Sequence, residues 1–576
     1  MWQYIPQNSR NKETLAKRWV KSPISRGENK WRLRRDVVIL WWNPSPCQCE
    51  IKMYPCGETR KVTTLQGMRD VLQEISESNK SDAKVVVFAN HLDALWLGNV
   101  LTDSRWIGNP RLENDNEYHF CAVSDSFEFR NLDPILDDYK KTCHCCDDVY
   151  ETIGSFGIPL YKIVWSVGHL TKKSFYDHDL RETLWQDTVD NNRFFHDMQT
   201  YLDMFAGSSS GFLWLEEELK GCIFDDVSSY DIKSAYAWAL AVLDKYPLTI
   251  PIKTRKISDL YKAIEKDKWF LIVVRGVKLP SKYDYWMSKY DDGDPIESLS
   301  YAFNYYDYQT MCLFDYDIEN VLIDGHYTIY TAKKCGRLHD AYRDRIVNYY
   351  NFKESIEDKE DPNRKYAKKQ LELLYGKPLQ WHNFSDIKEV QAFYRHRGDN
   401  YVLPHWSKLA ISAIKYRLMR VWKEDERCIY ADTDGVKSTS DPNKLWDYFA
   451  QLNYNIVKMN ADAGYENLSM GLWDYEYTAN RFVYVNKKQY AYEVGEEITT
   501  KITGILKTDL QIIVRENKEQ GIDFLEQLKN GLCVKKHELT YIPSRDEFIW
   551  KPIDMIIGKD DSFVEKKILG SRSFVR

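Results

Sequence analysis

The stretch Cys428–Ser438, CIYADTDGVKS, decides how this chain is read. An apolar start at Ile429, Tyr430 and Ala431 gives way to two acids, Asp432 and Asp434, and Gly435 opens a second alternating run. The pattern predicts a strand, a tight turn that Gly435 permits, and a returning strand. Residues two apart on an extended chain point the same way, so both carboxylates leave the hairpin on one face. Oxygen ligands of this kind suit a hard divalent cation, although an Asp at a strand end is equally a turn former.

Working outward, an acid of the same sort stands in SYDIKSAY, residues 229–236, where an alternating strand carrying Asp231 runs into a helix. Between the two acidic segments lies RKYAKKQLELLYGK, residues 364–377. Steps of four and seven residues return to nearly the same side of a helix, so Arg364, Lys368 and Tyr375 share one face. Such a face would grip a triphosphate while the ring stacks on a base; the plainer reading is a solvated charged helix. Phosphoryl transfer to a nucleotide uses two divalent ions held by carboxylates, which is chemistry that these three segments together would serve.

The three segments resemble the conserved motifs of family B DNA polymerases. SYDIKSAY is similar to motif A (D-x-x-S-L-Y), KKQLELLYGK to motif B (K-x-x-x-N-S-x-Y-G) and YADTDGV to motif C (Y-x-D-T-D-S), in the family's order. SGFLWLEE (210–217) and NKKQY (486–490) extend the likeness over roughly 207–576, most closely toward the small protein-primed bacteriophage branch. The resemblance implies an α+β multidomain chain, a right-hand polymerase of palm, fingers and thumb behind an RNase H-like exonuclease-type α/β domain. Asp231 and Asp434 would bind two Mg²⁺ or Mn²⁺ ions, with Asp432 beside them as a third catalytic acid. Ser234 and Tyr236 would bind the incoming nucleotide, Tyr236 under the sugar as a gate against the ribose 2′-hydroxyl. Arg364 and Lys368 would contact the triphosphate, and Tyr375 and Tyr430 would line the nascent base pair. Gly211, Gly376, Lys377, Lys408, Lys488 and Tyr490 would hold template and primer through backbone contacts that carry no sequence information.

Several positions depart from the family. Glu372 and Leu373 stand where motif B has Asn and Ser, Gly435 replaces the Ser of motif C, and Lys408 replaces an Arg in HWSKLAISA. The strand VVILWWNPS has no acid where the family's first exonuclease motif supplies D-x-E. The second motif survives in outline as FANHLDALWL with Asn90 and Asp93, and the third as Asp187 or Asp190 without its Tyr. A domain that keeps the exonuclease-type fold but lacks proofreading is therefore expected. Ser208, Ser209 and Ser210 replace most of the Y-x-G-G loop, and the segment from Lys377 to Trp406 is short for the hairpin that encircles DNA in the phage enzymes.

Size and composition set the frame. At 576 residues the chain exceeds one growing core, and 40 Tyr and 19 Trp leave many rings for stacking. A net charge of -6 gives no global attraction to nucleic acid, so phosphate contacts must be local. VVILWW (37–42) and KVVVFAN (84–90) predict buried strands with a helix through DVLQEISES between them. GSSSG at 207–211 marks the main boundary. The expected division is 1–206 exonuclease-like, 207–280 first part of the palm, 281–337 an insertion like the terminal-protein region, 338–380 fingers, 381–490 second part of the palm, and 491–576 thumb and C-terminal region. Of the 12 Cys, seven (Cys47, Cys49, Cys56, Cys121, Cys143, Cys145 and Cys146) fall in the first 146 residues; their spacing fits no standard Zn²⁺ knuckle, and free thiols are the expectation. No apolar run or secretory leader is read, which places the chain in the cytoplasm, the host's if viral, as a monomer away from membranes. Expected partners are DNA template and primer, deoxynucleoside triphosphates and, by resemblance, a terminal protein. Untemplated or RNA-templated nucleotidyl transfer, or a non-catalytic nucleic-acid-binding derivative, stay open as alternatives.

Overall fold

The computed structural model describes residues 20–21, 31–32, 37–54, 57–78, 85–97, 111–114, 121–123, 126–136, 143–155, 175–207, 212–215, 217–280, 296–359, 361–379, 384–395, 401–503, 505 and 507–557. Contacts divide the chain into two compact units: 1–175 with 353–370 and 537–553, and 176–352 with 371–536 and 554–576.

The first unit is built on a seven-stranded mixed sheet. Its strands are β1 (Val37–Pro44), β2 (Cys47–Tyr54), β3 (Thr59–Val62), β4 (Val85–Ala89), β5 (Arg111–Asn114), β6 (Cys121–Val123) and β7 (Phe127–Asn131), in spatial order β3-β2-β1-β4-β7-β6-β5. β4 is parallel to both β1 and β7 and the remaining pairings are antiparallel. A strand with parallel neighbours on both sides is covered on both faces, and VVVFA accordingly has no exposed position. Helix α1 (Leu65–Ser78) supplies Leu65, Met68, Val71 and Leu72 at helical spacing to the core, and α2 (Leu92–Leu97) adds Leu92 and Leu95. Phe548, from the 537–553 segment, packs edge-on against Trp42 at 5.0 Å.

The second unit opens with helices α3 (His178–Asp190) and α4 (Met198–Phe205). Asp203 of α4 is 2% exposed, pairs with Arg275 at 2.7 Å and accepts from the Tyr330 hydroxyl at 2.5 Å. These bonds tie α4 to a four-stranded antiparallel sheet and explain why residues 176–206 fold with the C-terminal side of the chain rather than with the strands that precede them.

The unit's large sheet is fully antiparallel and ordered β8-β14-β15-β9-β16-β17-β18. In it β8 is Phe212–Leu215 and β9 is Ile223–Ile232. The four-stranded sheet comprises β10 (Ile252–Thr254), β11 (Phe270–Arg275), β12 (Ser300–Asn304) and β13 (Tyr327–Thr331). The large sheet is completed by β14 (Cys428–Thr433), β15 (Gly435–Ser438), β16 (Trp473–Asn486), β17 (Gln489–Val494) and β18 (Glu497–Ile502). The smaller sheet has its own core with α6 (Ile257–Glu265) and α7 (Tyr305–Leu313), so the compact body around the expected insertion begins near residue 252; residues 281–295 lie outside the described residues.

Helix α5 (Ala235–Val242), AYAWALAV, is buried along its whole length, as an all-apolar helix must be. Helices α8 (Asp340–Ser355) and α9 (Pro362–Gly376) are divided between the units at 352/353 and 370/371. Helix α10 (Pro404–Glu424) starts with Pro at its first turn, where the missing N–H costs nothing, and packs on α5 and α7. It buries charge as well as apolar surface, with Lys408, Lys415 and Arg417 each under 10% exposed. Helix α11 (Pro442–Asp462) follows β15. Among the described residues no helix is long and apolar enough to cross a membrane.

One glycine fixes the join before β16. Gly471 has φ +86, and a Cβ there would lie 2.3 Å from the Trp238 ring, which is itself held by Asn460 at 2.8 Å. Gly471→Ala is expected to lower the stability of this unit by about 3 kcal/mol, read as a drop in the urea midpoint at unchanged slope.

Candidate active site in the second unit

The acidic hairpin forms where the sequence places it. Thr433 turns the chain with φ +63, Asp434 N–H donates to Asp432 O at 2.7 Å, and β14 and β15 pair on either side. β9 lies on the far side of β15, with Asp231 opposite Gly435, and Ile232 N–H donates to Asp434 O at 3.0 Å. Asp231 and Asp434 are thereby brought together from segments two hundred residues apart in sequence. Asp432 pairs with Gly435 in the ladder, and its carboxylate accepts from the Thr433 hydroxyl at 2.7 Å.

This closeness depends on Gly435. A Cβ there would meet Tyr230 O at 2.9 Å and Asp231 Oδ1 at 3.1 Å, so the strands approach as they do only because no side chain intervenes.

Burial, then Asp434, then Glu476 hold the Asp231 carboxyl well above the usual range, up to about 8, with Lys437 opposing them. Glu476, on β16, accepts from the Ser229 hydroxyl at 2.6 Å; Lys437 donates to the same hydroxyl and lies 3.7 Å from Glu476. Burial pushes the Lys437 ammonium down while Glu476, Asp231 and Asp432 pull it back up. Four carboxylates and one buried cation therefore share the site, and Ser229, Lys437 and Glu476 were not anticipated from sequence. Glu476 lies in WDYEYT, where alternating polarity reads as a solvated strand face.

Aromatic groups flank the acids. Tyr236, 5% exposed, donates its hydroxyl to Thr433 O at 2.8 Å and stacks on Tyr375 with centroids 4.0 Å apart and planes at 20°. Burial, with Asp434 and Glu372 adding, pushes the Tyr375 hydroxyl up to about 12. Ser234 sits at the start of α5 with φ +47 and ψ +48, a left-handed conformation that costs a non-glycine residue about 1 kcal/mol or more and clusters at functional sites. Lys488 is exposed with φ +56, and Tyr490 packs against Tyr430 at 5.3 Å.

Two expected contacts take a different place. Tyr430 is fully buried among Tyr484, Tyr490 and Phe482, and its hydroxyl accepts from Lys488 N–H at 2.9 Å. It is a prop beneath the Lys488 turn rather than a surface open to a base. Lys408, 6% exposed, donates to Ala206 O, and burial pulls its ammonium down to about 7, so its charge is turned into the protein rather than onto an open surface. Arg364 and Lys368 belong to the first unit, where Arg364 donates to the carbonyls of Lys353 at 2.7 Å and Ile356 at 2.5 Å at the end of α8. Gly376 and Glu372 are exposed on α9; Gly211 and the Lys377 side chain lie outside the described residues.

The residues fit divalent ions of the Mg²⁺ type. Mg²⁺ is commonly held by one or two carboxylates plus substrate phosphates and water, and a cation beside Asp231 would offset the repulsion that keeps its proton on. Among the described residues no group of three or more His, Cys, Asp or Glu converges on one point, in the cysteine-rich segment or elsewhere. Cys146 donates its thiol to Ile39 O and Glu50 O, and burial pushes the Cys49 and Cys146 thiols up, away from the thiolate a Zn²⁺ ion would need.

In the first unit the carboxyl ends of β1 and β4 face a cleft of about 630 Å³ lined by Trp41, Trp42, Asn90, His91, Asp133 and Trp550. The Asn90 amide is committed on both sides: Oδ1 accepts from Trp42 N–H at 2.8 Å and Nδ2 donates to Trp42 O at 2.7 Å. Asp133 accepts from His91 N–H at 2.8 Å. Asp187, in the second unit, pairs with Arg193 and accepts from Asn191 and from the Tyr401 hydroxyl, and Asp190 accepts from Gln186. The Asp93 side chain lies outside the described residues.

No protein-family profile and no curated protein sequence matches the chain. Solved structures do, and among them are structures of a DNA polymerase. In particular, the chain shares its fold with Phi29 DNA polymerase complexed with primer-template DNA as a post-translocation binary complex, at TM-score 0.60 and 12% identity over 91% of this chain and 100% of that one. The ternary complex of the same polymerase with incoming nucleotides matches at TM-score 0.57 over 92% of this chain and 100% of that one, also at 12% identity. Its complex with single-stranded DNA gives 0.54 at 12% identity, over 91% and 100%. At this identity the likeness is one of fold.

Proposed function

We propose that this chain is a template-directed DNA polymerase that adds deoxynucleotides to a 3′-hydroxyl, or to a hydroxyl of a terminal protein, by two-metal phosphoryl transfer, and that it lacks 3′–5′ proofreading. The observation that carries the reading is the meeting of Asp231, on β9, with Asp434, in the turn between β14 and β15, with burial and repulsion from Asp434 keeping Asp231 from ionising alone. Asp231 and Asp434 would hold the ions, with Asp432 and Glu476 adding negative charge nearby. Bound there, divalent ions would activate the attacking hydroxyl and stabilise the leaving pyrophosphate. Tyr236, fixed by its bond to Thr433 O and its stack on Tyr375, would close the space beside the sugar against a 2′-hydroxyl. Template, primer and deoxynucleoside triphosphates are the partners this chemistry needs.

The absence of proofreading rests on the first unit, where the described side chains at the carboxyl ends of β1 and β4 are indoles and an amide bound to the backbone. Asp133 and Glu50 line the same cleft but do not belong to those two strand ends, Asp133 accepting from His91 N–H and Glu50 from Cys146 N–H.

Extension of a labelled primer on a DNA template with Mg²⁺ tests both parts. The expected result is templated growth that Asp434→Asn abolishes, with no shortening of the primer when nucleotides are withheld. No growth on any primer or template would remove the polymerase reading, and shortening lost in Asp93→Asn would restore a nuclease to the first unit. Sequencing the products separates templated from untemplated addition.

A further inference from the structure

Helix α11 keeps one apolar face inward and leaves a second one in water. Leu445, Phe449, Leu452, Ile456 and Asn460 are buried, and Phe449 stacks on Tyr230 of β9 with centroids 4.3 Å apart. Trp446, Ala450, Tyr454, Val457 and Ala461 are exposed, Trp446 by 66% and Tyr454 by 72%. Spaced by four, four, three and four residues, these five fall within an arc of about 80° and run for about 22 Å along the helix. Single apolar residues scattered over a surface are ordinary, whereas a continuous stripe of them marks a docking face.

The order of side chains along the stripe selects the occupant. Trp446 begins it, Ala461 closes it, and Ala450 and Val457 lie between. Laid antiparallel against a copy of itself, about a twofold axis between residues 453 and 454, the helix sets Trp446 opposite Ala461 and Ala450 opposite Val457, the larger on the smaller each time. Charge obeys the same axis. Asp447 and Lys458 are exposed on one flank of the stripe, and in the antiparallel pair each comes beside the other's counterpart in the second copy, within about 3 Å of register along the helix. Farther from the stripe, the exposed Lys444 and Asp462 stand in the same relation. The opposite flank is committed to the protein's own sheet, where Asn453 Nδ2 donates to Trp473 O at 2.9 Å and Asn453 Oδ1 accepts from Trp473 N–H at 2.7 Å.

We infer that α11 is an isologous dimer contact: a second copy of this chain docks antiparallel on the stripe from Trp446 to Ala461, in a register set by reciprocal pairs of Asp447 with Lys458. A pair of chains thus takes the place of the single chain expected from sequence. Nucleic acid fits the face less well, because the two lysines and two aspartates of the flank cancel and offer no field to a phosphate backbone. Tyr230 and Asp231 are adjacent on β9 and point to opposite faces of the sheet, so α11, packed on Tyr230, covers the face away from the Asp231 carboxylate. Pairing through α11 leaves the acid side open in both copies. One helix from each copy is a small interface, and a dissociation constant on the order of 10 µM is expected.

Sedimentation velocity on the full chain without DNA or nucleotides, from about 1 to 200 µM, tests this apart from the polymerase reading. Dimer is expected to form over that range. Trp446→Ala, a change at a side chain already in water, is expected to weaken it roughly hundredfold at an unchanged melting temperature. Asp447→Lys and Lys458→Asp should each weaken it roughly tenfold, whereas an equimolar mixture of the two variants pairs as tightly as the parent, since each then meets its opposite charge. A single chain at every concentration would overturn the proposal, as would a dimer indifferent to Trp446→Ala or a mixture no tighter than either variant alone. So would a single chain whose hold on an oligothymidylate, titrated separately, weakens in Trp446→Ala, because the stripe would then belong to nucleic acid.

Discussion

Asp231→Asn is expected to lower primer extension by about 10³-fold or more while leaving the metal-free protein at least as stable as the parent. The two effects separate because of the site's electrostatics. Without a cation, burial and Asp434 keep the Asp231 carboxyl protonated up to about 8, and a neutral amide has nearly the shape of that protonated acid. A carboxyl whose folded value is raised contributes stability that is fully present below its ordinary value of 3.8 and is lost as pH rises through about 8. The asparagine has no such dependence. In a chelator, the melting temperature of the variant should therefore exceed that of the parent by an amount that grows from pH 5 to pH 9. An unchanged pH profile would mean that Asp231 ionises freely, and the site as described would be wrong.

Gly435→Ser is expected to cost about 10²-fold in kcat, although serine is the residue that the resembling motif carries at this position. A Cβ here falls 2.9 Å from Tyr230 O and 3.1 Å from Asp231 Oδ1. Neither contact yields cheaply, because Tyr230 O belongs to a ladder strand and the carboxylate is packed against Asp434. Relief requires β15 to move away from β9, which displaces Asp231 by a few tenths of an ångström or more. Steady-state kinetics with Mg²⁺ and Mn²⁺ would show the fall chiefly in kcat. Full activity in the serine variant would show that the two strands slide freely.

The sequence was legible where local pattern and final environment coincide. CIYADTDGVKS and SYDIKSAY carry their strand and turn signals within ten residues, and VVVFA is apolar because both its faces are covered. Legibility failed where long-range packing decides. Lys408 is expected at the DNA only by resemblance, yet α10 packs against α5, α7 and neighbouring segments and buries this charge. Tyr430 is placed at the nascent base pair by resemblance alone, because nothing local reveals the tyrosines of β16 and β17 that surround it. GSSSG reads as a domain boundary, but the ion pair between Asp203 and Arg275 keeps the preceding helices with the second unit. Glu476 and Lys437 are visible only once β16, β9 and β15 lie side by side.

The Asn90 amide that grips both backbone groups of Trp42 makes this strand end sensitive to the charge at position 90. An aspartate at position 90 would still accept from Trp42 N–H, but it would set a carboxylate against the Trp42 carbonyl that the amide now satisfies. An acid placed there would leave a repelled, unsatisfied carbonyl at the end of a core strand. A single asparagine-to-aspartate change at this corner thus loses stability before a second acid stands at these strand ends to share an ion with it.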